Sequence, residues 1–406
     1  ALTQLNNALG GAIFGGITPL DESNPDDDGN VLNSVEGFGR NYFRSLSPYR
    51  LKSKAFFGEG YYDVTDDLKF TLGLRYTNDE KEQDVVPSAL FTPVTALPEA
   101  GVPIGLLEAD FQETTGRIGL DWSPNFGATD DTLIYGFYSK GYKGGGINPP
   151  QPAGANLFPQ TFDPEFVDAF ELGTKNTFAN NTQSLNVTGF YYDYQGYQIT
   201  QIVNRTSANF NVDAKISGLE VEYLWTPADN WLLTANLGLL NTELQGTTGI
   251  DVLDRTNGNP DFVTLKNAST YSNCVVSSQG YATVLGAIAG GLLNNGDSRG
   301  LCSGAFAGAE GAFGLGDVTY VDGNGVTQTI GALTPFDGIS KDLDGNKLPG
   351  TPEMTLNLAA EYTFNALNNT NWDMTVRGDF YYQADSYSRV FNTPRDKLDS
   401  WTNLNL

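Results

Sequence analysis

The chain of 406 residues contains no histidine. That absence removes the commonest general base, the commonest transition-metal ligand and any Ser-His-Asp arrangement. Methionine and cysteine number two each, and neither CxxC nor HExxH occurs, which argues against a zinc site. Nowhere do roughly 18 apolar residues run together, so no helix of this sequence can cross a bilayer. Basic residues are scarce: 23 against 48 acidic, a formal charge of −25. Nucleic acid demands basic patches and is therefore not expected as a partner. The charge fits a solvated acidic surface, a cation-binding surface or a salty medium, the first being the plainest. No secretory signal peptide opens the chain at Ala1, so the sequence is read as starting after processing or as a piece of something longer. The glycine run Gly144–Gly146 is followed by no GK[ST] and reads as a flexible strand exit, not a phosphate loop.

What is abundant is tyrosine (20), phenylalanine (24) and glycine (47), a mixture that suits strands and turns. In LKFTLGLRYTNDEKEQ, residues 68–83, Leu68, Phe70, Leu72, Leu74 and Tyr76 share one face and Lys69, Thr71, Gly73, Arg75 and Thr77 the other. A period of two means a strand with one apolar and one polar face. The same alternation recurs at 118–122, 219–225, 354–364 and 372–383. Charged residues stand in mid-strand on the polar face: Arg75, Arg117, Glu220, Glu361 and Arg377. A dry core would penalise each of them, whereas a water-filled lumen would not. The expected arrangement is lipid against the apolar face and an aqueous interior against the polar one. A mean hydropathy of −0.28 agrees with strands that give only one face to lipid.

The fold class predicted is all-β: a transmembrane antiparallel barrel with short periplasmic turns and long extracellular loops. About eleven strands are expected, near 52–64, 68–78, 111–123, 132–143, 165–177, 183–195, 209–226, 231–243, 352–364, 372–386 and from 398. Short connections at 65–67, 123–131, 178–182, 226–230 and 365–371 alternate with longer ones at 79–109, 144–163, 195–209, 244–350 and 387–397. Such asymmetry is the rule for outer-membrane barrels. Trp122, Trp225, Trp231 and Trp372 all adjoin short turns, where an aromatic girdle would place them.

Residues 1–50 read as an extracellular loop, and the Gly- and Asn-rich stretch 244–350 as a second, long one within the barrel. Its apolar patch ATVLGAIAGGLL (282–293) suggests a short helix. Cys274 and Cys302 lie in this stretch; they are expected to pair in an oxidising compartment, two spare thiols being the alternative. Asn24, Asp26, Asp28 and Gly29 match the start of a calcium-loop pattern, but the twelfth position is Val35 and Glu36 misses it by one. Asp342, Asp344, Gly345 and Asn346 make a shorter version. A solvated acidic turn is the favoured reading of both, and Ca2+ held in the extracellular loops the alternative; no cofactor is required.

Three stretches, in order, resemble the barrel of TonB-dependent outer-membrane receptors, particularly the branch common in alphaproteobacteria: KAFFGEGYYDVTDDLKFTLGLRYTNDEKE (54–82), LIYGFYSKGYKGGGINP (133–149) and FDPEFVDAFELGTKNTFANNTQSLNVTGFYYDYQGYQI (162–199). GLEVEYLWTPADNWLLTANLGLLNTEL (218–244) and NKLPGTPEMTLNLAAEYTF (346–364) continue the resemblance. The resemblance implies a share of a barrel of about 22 strands, with residues 1–406 as a partial barrel and the family's plug domain and TonB box outside this sequence. It also implies a TonB complex as partner through that plug, outer-membrane lipid around the wall, and a scarce bulky solute as cargo, by default a ferric siderophore. A glycan stays open; haem is disfavoured by the missing histidine.

Solute contacts are expected on loop bases and the lumen wall, at Tyr138, Tyr142, Lys143, Asn148 and Arg205. Taken singly, each is better explained by an interface belt or a solvated loop. Two other functions share the barrel: a passive porin, and a scaffold whose acidic loops bind an extracellular protein or a lipoprotein. No catalytic constellation is found, so an enzyme is not expected.

Overall fold

A computed structural model of the protein describes residues 43–44, 48–85, 89–90, 105–149, 158–203, 206–266, 273–294, 300–302, 304–365 and 372–406. Most of the expected first loop, with Asn24, Asp26 and Asp28, and the candidate Arg205 lie outside the described residues; the described end of that loop is largely strand, Phe43–Arg44 pairing with Ala89–Leu90, and Tyr49 and Arg50 opening the strand Tyr49–Asp63.

Eleven strands form one sheet. They are β1 (Tyr49–Asp63), β2 (Leu68–Val85), β3 (Gly105–Trp122), β4 (Asp131–Lys143), β5 (Glu165–Phe178), β6 (Gln183–Val203), β7 (Thr206–Trp225), β8 (Trp231–Gln245), β9 (Met354–Asn365), β10 (Asp373–Gln383) and β11 (Trp401–Asn405). Each pairs antiparallel with its neighbours in sequence, and β1 and β11 are the two edges. The number agrees with the alternation, but β1, β2, β3, β6, β7 and β8 run further toward the long loops than expected, whereas β9, β10 and β11 stop short of them. β2 continues through the charged stretch to Val85, and β6 and β7 stay paired to Val203↔Thr206, so the expected loop 195–209 is almost wholly strand. Tyr194 and Tyr197 flank a bulge there, with Gly196 at φ +68°.

The sheet is inverted relative to a water-soluble one. Leu72 (46%), Leu74 (60%), Leu120 (49%) and Leu172 (66%) are exposed in mid-strand. Thr71, Thr77, Asp79 and Gln83 of β2 are buried. Register carries the apolar stripe across strands: Leu72 faces Ile118, Phe70 faces Leu120, and Tyr138 faces Phe170. Trp122, Trp225, Trp231 and Trp372 are all exposed beside short turns. Trp122 donates its indole N–H to Asp67 in the TDD turn at 3.1 Å.

The apolar core sits above this sheet, not inside it. Ile199, Val212, Ala214 and Leu244 at the long-loop ends of β6, β7 and β8 pack with Leu343, Leu348 and Val390 of the connections. The connection between β8 and β9 is a folded unit. It holds the hairpins Phe262–Lys266 with Asn273–Ser277 and Asp317–Val321 with Thr327–Gly331, and the pair Thr248–Ile250 with Ser340–Asp342. Its helix α1 (Ser278–Ala289) covers most of the expected apolar patch; the Ser277 hydroxyl caps it by accepting from Gly280 N. Cys274 and Cys302 are disulfide-bonded across Cα atoms 5.6 Å apart, in a core with Val276, Val284, Leu301 and Leu333.

Two outcomes test this architecture. Leu172→Arg should lower unfolding stability by about 2–4 kcal/mol in lipid vesicles if that face meets hydrocarbon. On a water-exposed face the same change would be nearly neutral, which denaturant titration in vesicles decides. Cys274→Ser opens a closure spanning 28 residues, a loss of about 3 kcal/mol. Hydrogen exchange in α1 should then accelerate about 100-fold while the sheet amides keep their protection.

Candidate binding surfaces of the inner wall and rim

The predicted solute residues divide. Tyr138 lies on the exposed apolar face, in register with Ile118 and Phe170, its ring 5.0 Å from that of Phe170 and its hydroxyl donating to Asp168 at 2.5 Å. The expectation that it lines the lumen is therefore corrected. Strand β4 carries aromatics on both faces, so alternation alone does not orient it.

Tyr142, Lys143 and Asn148 do gather at the base of the 144–163 connection. Strand β4 pairs with β3 only as far as Lys140↔Gly116 and then stays with β5 alone. Tyr142 therefore reaches β2, donating to Asp79 at 3.1 Å. Lys81 donates across to the carbonyl of Gly145. Lys143 pairs with Glu165 at 3.3 Å, whose carboxylate also accepts from Gln198 N at 2.8 Å. Asn148 is buried, donating to Pro159 O and Asn209 O and accepting from Asn209 N. Its amide is fully used as a bracket between connection and strand, which leaves it no free group for a solute.

The acidic motif at 342–346 is likewise internally bonded. Asp342 accepts from Asp344 N at 2.9 Å, Asp344 from Gly246 N at 2.6 Å, and Asn346 donates to Val390 O at 2.9 Å. Among the described residues no three His, Cys, Asp or Glu side chains converge.

The inner wall holds a polar hollow that the sequence reading did not single out, a cavity of about 450 Å3 lined by Tyr135, Glu171, Lys175, Thr188, Phe190 and Glu220 among others. Tyr135 donates to Glu171 at 2.9 Å and lies 3.0 Å from Thr188 Oγ1, while Lys175 sits over its ring. Phe190 stacks on Tyr192 at 4.9 Å. The rings lie flat because glycine lies beneath them. A Cβ at Gly173 would come within 2.7 Å of Tyr135, and one at Gly218 within 2.4 Å of Phe190. The available signal was the mid-strand charge of Glu171 and Lys175 in FELGTK (170–175), the same signal read correctly at Glu220. Carboxylates, hydroxyls and ring faces together offer acceptors and stacking surfaces to a passing solute.

At the rim, Arg389 ties the connection between β8 and β9 to the one between β10 and β11. Its Nη1 reaches Asp251 and its Nε Asp396, both at 2.6 Å, and both carboxylates are only 2% exposed. Burial alone would push Asp396 up; hydrogen bonds from Arg389, the Thr393 hydroxyl and Thr393 N outweigh it and hold the carboxyl below the ordinary 3.8. A depressed carboxyl stabilises fully above its free value and loses that contribution as pH falls through the folded value. The tie should therefore hold above about pH 4 and weaken in stronger acid, seen as faster proteolysis of the connection between β8 and β9. Arg389→Met, which leaves both buried carboxylates without a cation, should cost about 3 kcal/mol at neutral pH by the same assay.

The sequence was compared with known proteins. A family model described as TonB dependent receptor-like, beta-barrel matches residues 3–406. The probable TonB-dependent siderophore receptor PiuA of Acinetobacter baumannii is 27% identical over 185 residues, which is 45% of this chain and 23% of that protein. The crystal structure of the ferric yersiniabactin uptake receptor FyuA from Yersinia pestis aligns over 89% of this chain and 38% of its own, with a TM-score of 0.53 and 15% identity. That of the A. baumannii siderophore receptor PiuA aligns over 88% and 36%, with a TM-score of 0.49 and 17% identity. The chain thus spans about a quarter of the length of the curated relative. An inverted, all-antiparallel meander and a match along almost the whole chain lead to one conclusion: this protein belongs to the TonB-dependent receptor β-barrel family and resides in the outer membrane.

Proposed function

We propose that the whole receptor takes up a scarce bulky solute, by default a ferric siderophore, with energy delivered by TonB. The observation that carries the reading is the wall itself: apolar side chains outward, and an inner face of charged and aromatic groups around the Tyr135–Glu171 hollow. Relatives named as siderophore receptors support the solute class. A folded loop unit over the rim, stapled by Cys274–Cys302, suits capture at the extracellular side before passage inward. Coupling to TonB would run through a plug, as it does in the family this chain resembles.

The test is uptake of radioactive iron as ferric siderophores by iron-starved cells carrying the full-length receptor. Deleting the gene and dissipating the proton-motive force should each abolish uptake of the cognate chelate. Uptake that survives the uncoupler would favour the passive porin. Undiminished iron uptake in the deletion strain would set aside the siderophore assignment.

A further inference from the structure

Segment 251–261 of the loop unit carries a cation, Arg255, with no counter-ion among the described residues. Arg255 is 8% exposed, and among the described residues its side chain's only hydrogen bond runs from Nη1 to the main-chain carbonyl of Asp337 at 2.6 Å. Its Nε is buried and has no partner. In a chain with 48 acidic residues this is unexpected. The acids nearest in sequence are already taken: Asp251 by Arg389, and Asp254 by Lys341 at 3.3 Å. Asp337 contributes its carbonyl and makes no ion pair with Arg255 among the described residues. A buried guanidinium left this way is costly unless something else accepts its remaining donors.

The local fold keeps it there. Gly338, at φ +146°, closes over the segment; a Cβ at that position would lie 2.8 Å from Arg255 O and from Ile250 Cγ2. Ile339 N then donates to Arg255 O at 2.8 Å. Arg255 faces a cavity of about 380 Å3 between the loop unit and the rim of β6 and β7, whose other walls include Phe210, Val212, Ile250, Val252 and Thr248. Volume and lining suit a small molecule with an apolar body and one anchoring polar group. With Nη1 engaged and Nε buried, Nη2 is the guanidinium nitrogen whose donors are left over, and a charge-assisted hydrogen bond from it suits an oxygen of a carboxylate-like group.

We propose that this rim cavity binds a small organic anion, its oxyanion held by Arg255 and its apolar or aromatic body against Phe210, Ile250 and Val252. The proposal deepens the uptake reading by naming a charge and shape for the solute, or for a part of it, and rests on that reading only for the step from binding to transport.

Binding is measured by calorimetry on the full-length receptor in detergent, without energy or TonB, using naphthoate and its uncharged isostere naphthamide. The acid should bind at least about tenfold tighter than the amide, a gap of roughly 1.4 kcal/mol. Arg255→Lys keeps the charge but cannot hold Asp337 O and the ligand at once with a fixed planar group, so it should weaken naphthoate about tenfold, and Arg255→Met should abolish the preference for the acid. Because removing a buried guanidinium can unsettle the loop, Val252→Trp is the second variant: it fills the cavity, leaves Arg255 in place and should also lose naphthoate. Equal binding of acid and amide, undiminished naphthoate binding in either Arg255→Lys or Val252→Trp, or no naphthoate binding to the wild-type receptor at about 10 mM, would overturn the proposal. Failure of the uptake reading would show separately, as iron uptake indifferent to the uncoupler or to the gene's deletion.

Discussion

Hydrocarbon offers no hydrogen bonds, and the structure is organised around that fact. A strand crossing lipid must pair every main-chain N–H and C=O with a neighbour, so the sheet runs as an uninterrupted antiparallel meander from β1 to β11. Once the backbone is satisfied this way, the alternation of side chains decides everything else. The apolar set faces out, and the inward set can be charged because it meets water or other polar groups. Arg377, for example, bonds Asp379 at 2.7 Å and Glu361 at 3.3 Å across β9 and β10.

The hydrophobic effect therefore does its ordinary work only at the rim and in the loop unit, where there is water to escape. Val276, Val284, Leu301 and Leu333 are fully buried there, while leucines of the wall stay exposed. Two kinds of cohesion follow within one chain: ladder hydrogen bonds in the wall, and packed side chains, a disulfide and ion pairs above it. The Arg389 tie and the Asn148 bracket belong to the second kind: the first joins connections that leave different strands, and the second joins a connection to strand β7.

The wall was legible in the sequence because period two is a local property. Leu68 to Tyr76 and Met354 to Phe364 declare their faces within a few residues, and tryptophans beside turns mark one end. The strand ends were less legible: Asp79, Lys81 and Gln83 resemble a loop, yet the ladder continues through them because they turn inward or reach Gly145. Tyr138 was misplaced because β4 has aromatic rings on both faces and only register with Phe170 orients it. The rim could not have been read at all, since Arg389 and Asp251 stand 138 positions apart and meet only after the loop unit has folded. Arg255 is equally illegible, because nothing in the local sequence distinguishes an arginine that meets a carboxylate from one that, among the described residues, meets only a main-chain carbonyl.

The loop unit leaves β8 and returns to β9, and those two strands are already hydrogen-bonded neighbours, from Leu239↔Met354 down to Trp231↔Tyr362. Main-chain bonds from Leu240 N to Glu353 O and from Leu244 N to Asn346 O close the doorway behind it. A hundred residues are thus added to the chain at a junction no wider than a hairpin, with an interior of their own. Such an insert is a cassette. Its contents can be rewritten while the register of the membrane wall stays set by β8 and β9, so long as the contacts it makes outside itself, among them Asp251 with Arg389 and Leu343 and Leu348 in the rim core, are kept.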